Sequence, residues 1–393
     1  MSTEAPSIAR ATRPTRDLPT WVSYSQMGVW VWILGGLGAS AALIRDDLGA
    51  DRASGSLTTL ALACGGFIAA FIYPLLTRRR GRGPTMRSGS VVILAGVGLY
   101  LWSPSLSVVF IAAMVMCVGG SFLVSGGNSF LAAHQGAAAP AALSEANALA
   151  SVAGLLSPLA VGVVVAIGWG WRPGFAVVIV LLVLVELLRG RRLAAYADPA
   201  GASTREPTGR LPGRAIWSCG LLVATVGAEF CLTFWSADLL REQGGLGPAA
   251  AAASLGCVIG GMAVGRLLCS RLAQVMNPER LLGVSLVAGA VGFLPLWFFS
   301  APLVMLASLS VVGMAAGMHW PLGIARTLRA SGGRLDRASA AGGFAAAIAT
   351  AVVPTLLAVL AVTVGMRTAF LLVPALLLVA LVLLVARPVP ART

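Results

Sequence analysis

Residues 67–82 read FIAAFIYPLLTRRRGR, a long apolar run that ends in a cluster of arginines. This arrangement recurs along the chain: twelve apolar stretches are present, and the gaps between them alternate between arginine-rich and arginine-poor. One gap, near residues 132–145, departs from the alternation and holds no arginine. An excess of Lys and Arg in short loops marks the cytoplasmic side of a membrane protein. The pattern therefore predicts a chain that crosses a bilayer twelve times.

The composition supports a membrane protein. Of the 393 residues, 58% are hydrophobic and 11% are charged, which excludes a soluble globular domain of this size. All 28 basic residues are arginine, and the net charge is +14. In a soluble protein this charge indicates a nucleic-acid partner, but here the basic segments match an anionic inner leaflet. We therefore expect the lipid bilayer as a partner and no nucleic acid. A chain without lysine that is rich in Ala, Gly and Arg also indicates a GC-rich bacterial genome.

The predicted path divides the chain into four parts. Each span needs about 20 mainly apolar residues. We place the spans at 23–44, 55–77, 88–102, 105–131, 146–168, 172–188, 215–240, 249–271, 280–299, 301–325, 337–362 and 367–386. They form an N-terminal bundle at 21–188 and a C-terminal bundle at 215–388, with a cytoplasmic tail at 1–20 and a cytoplasmic linker at 189–214. Because 23 of the 28 arginines then lie at one side, we expect a multi-pass protein of the cell membrane with both termini in the cytoplasm.

The two predicted bundles resemble each other in sequence. Residues 170–175 read GWRPGF where the sixth span begins, and residues 365–370 read GMRTAF where the twelfth begins. The fifth span contains Pro158 and the eleventh contains Pro354. The offset between such matches stays between 192 and 196 residues. Repeated six-helix halves are one of the architectures of secondary transporters, so the chain is predicted to be an all-α membrane protein of two pseudo-symmetric six-helix bundles.

A short motif follows the second span. Residues 74–83 read PLLTRRRGRG, which resembles the pattern G-x-L-a-D-r-x-G-r-k found between the second and third spans of the major facilitator superfamily. The R-x-G-R core is present at Arg79, Gly81 and Arg82, whereas Arg78 occupies the position of the acid. The resemblance implies a gating role for Arg79, Gly81 and Arg82.

The second half carries a counterpart of this motif. Residues 265–272 read GRLLCSRL, again without an acid, and the resemblance implies a gating role for Arg266 and Arg271. The Gly-Ala-Glu sequence at 227–229, with Trp235 further on, is similar to the fucose/glucose-type branch of the superfamily. Together with the predicted topology, these motifs extend the resemblance over about residues 20–388. It implies alternating access and a central cavity lined by the first, fourth, seventh and tenth spans.

Polar residues on those four spans are the candidate site residues. Glu229 is the one carboxylate predicted near the middle of a span, where a charged acid costs about 2.5–3.5 kcal/mol and is functional by default. It can carry a proton or accept hydrogen bonds from a solute, or it can be a protonated packing residue. His319 can bind solute, pass a proton to Glu229 or only join two helices. The predicted substrate-binding residues are Gln26, Trp30, Asn128, Thr225, Glu229, Thr233, His319 and Trp320, and the predicted proton-coupling residues are Glu229 and His319.

These observations predict a secondary active transporter that moves a small organic solute by alternating access and is coupled to protons. Export is favoured over the alternative, which is uptake of a sugar-like solute. An intramembrane enzyme on the same scaffold is a remote alternative, so the chain is not expected to be an enzyme. It has no phosphate-binding loop, since it lacks lysine. We expect a monomer whose partners are the solute and protons, with no cofactor and no metal.

The predicted orientation can be tested with a tag inserted near Tyr196, in the linker between the bundles. We expect an antibody to reach this tag only after the cell membrane is permeabilised, because the linker carries arginines of the cytoplasmic side. A tag that is accessible on intact cells would overturn the predicted path.

Overall fold

A computed structural model describes residues 13–49, 56–197, 209–246 and 255–389. Within these ranges the chain is almost entirely α-helical and has no β-strand. The predicted tail and linker lie partly outside the described residues, at 1–12 and 198–208. The long helices are α1 Leu18–Asp47, α2 Ser56–Arg80, α3 Arg82–Trp102, α4 Leu106–Gln135, α5 Ala139–Ala166, α6 Arg172–Arg189, α7 Gly213–Gly244, α8 Leu255–Leu272, α9 Pro278–Phe298, α10 Pro302–Arg329, α11 Leu335–Val364 and α12 Leu372–Ala386.

The prediction of an all-α membrane protein is confirmed. Nine stretches of the described residues are long and apolar enough to cross a membrane, and one of them, Leu106–Ala166, runs through both α4 and α5. A one-turn helix, Met366–Ala369, precedes α12. The number of twelve crossings stays a prediction, as do the bounds of the two bundles.

Helix boundaries follow local signals in the sequence. α9 begins where the side chain of Asn277 accepts a hydrogen bond from the backbone N–H of Glu279 at 2.9 Å, with Pro278 between them. The Asn277 side chain therefore caps the helix. Pro278 suits the first helical position because it lacks the N–H that would otherwise need a partner. Between α2 and α3 a single residue, Gly81, breaks the helix with φ of 84°. Only glycine adopts this backbone conformation without strain.

Two predicted connections are shorter than expected. The predicted inner connection at 132–145 is a single 3-10 turn, Gly136–Ala138, because α4 runs on to Gln135 and α5 begins at Ala139. α3 likewise begins at Arg82, six residues before the predicted start at 88. Hydropathy marks only the apolar part of a helix, whereas backbone hydrogen bonding continues into the polar interface. The predictions therefore underestimated these helices.

The packing of the helices repeats between the two halves. In the first half α1 packs on α5 and α6, while α2 and α3 pack on α4. In the second half α7 packs on α11 and α12, while α8 and α9 pack on α10. In the described residues the most extensive contacts between the halves are those of α2 with α11 and of α5 with α8, and we call these two contacts the seams. The sequence repeat relates α2 to α8 and α5 to α11. The α2–α11 and α5–α8 seams are therefore equivalent contacts.

The segment before α1 is tied to the ends of α4 and α5. The side chain of Gln135 bonds the backbone of Thr15 in both directions, at 2.8 and 2.7 Å. Arg16 pairs with Glu145 at 2.7 Å, and Asp17 with His134 at 2.8 Å. Burial alone would raise the pKa of Asp17, but hydrogen bonds from Thr20 and His134 outweigh it and lower that pKa. Part of the predicted tail is therefore attached to the first half.

Small residues allow α8 and α10 to approach each other closely. A Cβ atom on Gly265 would lie 1.9 Å from the backbone oxygen of Met314, and one on Gly317 would lie 2.3 Å from that of Met262. No side chain fits in such a gap. Close backbone contact of this kind is a common source of helix association in membranes, where the hydrophobic effect does not drive it.

The variant Gly265→Ala is expected to destabilise the protein, because the new methyl group forces α8 away from α10. Overpacking of this kind costs about 1–3 kcal/mol. Gly260→Ala, on the same helix, is the matched control, since a Cβ there has no atom within 4 Å. Thermal unfolding in detergent measures both variants. Equal melting temperatures for the two would contradict the close contact.

Candidate substrate cavity

A cavity of about 530 Å³ lies between the two halves of the molecule. Side chains from α1, α2, α4, α7, α8, α10 and α11 line it. Its walls are largely apolar and carry four aromatic rings, those of Trp30, Phe230, Phe234 and Trp320. Its polar lining residues are Ser121, Ser125, Asn128, Glu229, Arg266, Ser339 and Thr350. A mostly apolar cavity with a few placed polar groups is typical of a small-molecule site.

One ion pair lies in the cavity wall. Nη2 of Arg266 on α8 is 3.8 Å from Oε1 of Glu229 on α7, and the two side chains are 16% and 14% exposed. This distance is too long for a hydrogen bond, so the charges attract each other without sharing a proton. The attraction is stronger than in water because burial lowers the effective dielectric constant. Glu229 thus keeps a charged neighbour and also faces the space between the halves.

Arg266 also joins the two halves. Its Nη1 donates a hydrogen bond to the hydroxyl of Ser151 on α5, across the α5–α8 seam. Its Nε has no hydrogen-bond partner among the described residues. The guanidinium therefore contacts both the acid in its own half and a helix of the other half.

Asn128 and Trp30 occupy the opposite wall of the cavity. Asn128 is 1% exposed, and its Oδ1 accepts no hydrogen bond from the described part of the chain. A buried acceptor without a donor is costly, so a solute with an N–H or O–H group can satisfy it. The ring of Trp30 lies against Gly120, where a Cβ would be 2.0 Å from the ring. Glycine at 120 therefore makes room for the indole.

Four of the predicted site residues do not line this cavity. Gln26 is bound to the backbone oxygen of Leu123 at 2.9 Å and accepts a hydrogen bond from Arg189. The hydroxyls of Thr225 and Thr233 donate to backbone oxygens of their own helix, at 3.1 and 2.9 Å. His319 is buried, and neither ring nitrogen has a partner in the described ranges. The cavity thus brings together Trp30, Asn128, Glu229 and Trp320 of the predicted set.

Apart from Gly81, the motif residues lie in helices rather than in loops. Arg79 is exposed in the last turn of α2, and Arg271 is exposed near the end of α8. Arg266, predicted with the second motif, instead lines the cavity. Its position five residues inside the predicted end of the eighth span is the sequence feature that could have indicated this placement. No group of three His, Cys, Asp or Glu side chains in the described residues is close enough to hold a metal ion.

The cavity is closed at the arginine-rich end of the molecule, defined here as the end that carries Arg78–Arg82, Arg189 and Arg326. Arg82 at the start of α3 pairs with Asp336 at the start of α11, with Nε 3.0 Å from Oδ1. Tyr73 donates to the same carboxylate at 2.8 Å. The cavity-lining residues of α2 and α11 lie further from this end than Tyr73 and Asp336. We call this Arg82–Asp336–Tyr73 cluster the latch.

Sequence reasoning did not find the acid of the latch. The motif after α2 has Arg78 where the superfamily has an acid, and Asp336 supplies a carboxylate from the other half of the chain. The sequence around Asp336 does not indicate its partner. Aromatic contacts extend the closure along the same seam, with the rings of Phe67 and Phe344 5.0 Å apart.

The comparisons with known proteins agree with this architecture. The family model described as Major Facilitator Superfamily matches residues 24–302 and 217–393. The chain belongs to this superfamily. Members of the Major Facilitator Superfamily are transporters, so the protein is a multi-pass membrane transporter and not an enzyme. No curated protein matches the chain significantly.

Solved structures of superfamily members share the fold. FucP in the outward conformation matches with a TM-score of 0.79 and 13% identity, over 94% of this chain and 98% of that chain. The human organic anion transporter gives 0.73 and 13%, over 93% and 99%. The proton:xylose symporter XylE gives 0.71 and 14%, over 95% and 95%. At these identities the similarity shows the superfamily fold and nothing finer.

Asp336→Asn is expected to weaken the closure strongly, because it removes the carboxylate that pairs with the buried Arg82 side chain. Removing one partner of a buried ion pair costs about 3–5 kcal/mol. Arg16→Gln is the control: its pair with Glu145 is mostly exposed on the arginine side, and such pairs contribute about 1 kcal/mol or less. Melting curves of the purified variants measure the difference. If Asp336→Asn has the same melting temperature as the wild type, the latch does not stabilise the protein.

Proposed function

We propose that the protein is a secondary active transporter that moves a small organic solute and protons by alternating access. The observation that carries this proposal is the Glu229–Arg266 pair in the wall of the cavity. A lone carboxylate in an apolar span is a functional group by default. Here the carboxylate of Glu229 faces the space that a solute would occupy, and Arg266 is the charged residue that pairs with it.

The pair supports proton coupling by a simple electrostatic argument. A proton on Glu229 removes the counter-charge of Arg266, and an uncompensated buried charge is strongly unfavourable. The guanidinium then needs another acceptor. A solute in the cavity can supply that acceptor, so the proton and the solute bind together. Loss of the proton restores the ion pair and displaces the solute.

Binding of proton and solute together is the requirement for symport. With an inward proton gradient, symport means uptake, which differs from the export that the sequence favours. Alternating access also needs the site to act on a contact between the halves. Arg266 meets this need, because the same guanidinium bonds Ser151 across the α5–α8 seam. A change in the charge of Glu229 therefore acts on the residue that bonds across that seam.

Uptake of a sugar-like solute is the second candidate. FucP is described as the fucose:proton symporter of E. coli, and XylE as a proton:xylose symporter. Trp30 and Trp320 in the cavity wall could stack on a sugar ring. Against this candidate, a sugar presents hydroxyl groups on every side, whereas the aromatic walls offer few partners for them.

Glu229→Gln is expected to abolish solute-driven proton movement and to leave passive solute exchange in place, because glutamine keeps the shape of a protonated acid but cannot release a proton. Proteoliposomes with an internal pH dye measure proton movement on addition of D-fucose, D-xylose, benzoate or tetraphenylphosphonium. Counterflow of the labelled solute measures exchange.

Glu242→Gln is the matched control, since Glu242 lies on the same helix but is exposed and outside the cavity. It is expected to behave as the wild type. Full proton-driven accumulation by Glu229→Gln, at acidic and neutral pH alike, would show that Glu229 is not the coupling residue.

A further inference from the structure

We infer that the solute is a monoanionic organic acid with an aromatic or similarly flat apolar body, whose acid group binds Arg266 when Glu229 is protonated. This inference rests on the proposed function and names its substrate class. It is carried by the hydrogen-bonding state of Arg266, the charge balance of the cavity and the shape of the cavity walls.

Arg266 has hydrogen-bonding capacity that the protein does not use. A guanidinium carries five N–H donors in a planar fork. Here Nη1 bonds Ser151, Nη2 is 3.8 Å from Glu229, and Nε has no partner in the described part of the chain. A carboxylate or similar oxyanion is the ligand that satisfies such a fork in a bidentate way. Neutral acceptors bond a guanidinium more weakly.

The charge balance of the cavity favours an anion. The titratable or charged side chains that line it are Cys117 on α4, Glu229 on α7 and Arg266 on α8, within the described residues. His319 on α10 and Asp336 on α11 lie outside the lining, and Asp336 is engaged by Arg82.

With Glu229 charged, the two opposite charges cancel; with Glu229 protonated, the cavity carries one positive charge. In neither state does it carry a net negative charge while the Cys117 thiol is neutral. A cationic solute would therefore be repelled by Arg266 and would find no unpaired acid to bind. An anion meets a guanidinium whose acid partner is neutral when Glu229 is protonated.

The walls indicate the body of the solute. The rings of Phe230, Phe234 and Trp320 line the cavity from the second half, and the ring of Trp30 on α1 lines it from the first half. A volume of about 530 Å³ is large enough for a molecule of one or two rings. The unsatisfied Oδ1 of Asn128 adds a site for one donor, such as a phenolic hydroxyl.

The assignment has a definite pH dependence. Protonation of Glu229 favours binding of the anion, and by linkage the bound anion favours the proton on Glu229 to the same degree. Anion affinity therefore rises as pH falls, until the acid group of the solute itself becomes protonated at about pH 4. A neutral solute has no such dependence.

The test uses matched probes that share one aromatic body. One triplet is 4-hydroxybenzoate, 4-hydroxybenzamide and 4-hydroxybenzylamine, and further triplets are built on phenylpropanoate and naphthoate. Binding to the purified full chain is measured by thermal shift and by quenching of tryptophan fluorescence, because Trp30 and Trp320 line the cavity. We expect at least one carboxylate to bind about tenfold more tightly than its amide and its amine.

The variants separate the charge effect from general damage. Arg266→Gln is expected to lose the preference for the carboxylate, and Arg266→Lys to keep a weaker preference, since lysine retains the charge but not the fork. Glu229→Gln is expected to bind the carboxylate equally well at neutral and mildly acidic pH. Arg280→Gln, an exposed arginine on α9, is the control.

Every outcome bears on the inference. A panel in which no carboxylate binds better than its amide overturns it, as does a carboxylate preference that survives in Arg266→Gln. Proton-coupled transport of a neutral or cationic solute overturns the substrate class and leaves the proposed function standing. Arg266-dependent carboxylate binding without proton movement in proteoliposomes supports the substrate class and contradicts the proposed function.

Discussion

Water is absent from the hydrocarbon core of a bilayer, so every backbone polar group and every charge placed there needs a partner inside the protein. The helices supply hydrogen-bond partners for the backbone polar groups within each segment. The need for partners to the charges explains where the charged side chains lie. Among the described residues, the buried arginines Arg82, Arg189 and Arg326 pair with Asp336, Glu186 and Glu279, and the partly buried Arg266 lies beside Glu229.

These ion pairs differ in the distance between the arginine and its acid. Arg82 and Arg326 contact their acids at 3.0 and 2.9 Å, within hydrogen-bond distance, at the arginine-rich end. Arg266 and Glu229 are 3.8 Å apart in the cavity wall. A close, fully bonded pair resists exchange because either partner alone would be left unpaired. A loose pair at the edge of a cavity can exchange its partner for a solute, which is why function is assigned to the latter.

Much of the fold could be predicted from sequence, because hydropathy and the placement of arginine report on the bilayer directly. The site could be predicted only in part. Glu229 was found because it interrupts an apolar span. Its partner Arg266 was assigned to a motif near the membrane surface, since sequence gives no contact between helices. The latch was missed for the same reason: Arg82 and Asp336 are 254 residues apart in sequence.

The two seams between the halves have different chemistry, and this difference suits alternating access. At the α2–α11 seam the latch joins the two halves at the arginine-rich end with an ion pair whose residues do not line the cavity. At the α5–α8 seam Arg266 bonds Ser151 and also faces the solute cavity. In the proposed mechanism, an exchange of partner at Arg266 alters the α5–α8 seam while the α2–α11 seam still holds. In the mechanism that we propose, the bilayer's requirement for paired charges links the proton, the solute and the movement of the halves through the guanidinium of Arg266.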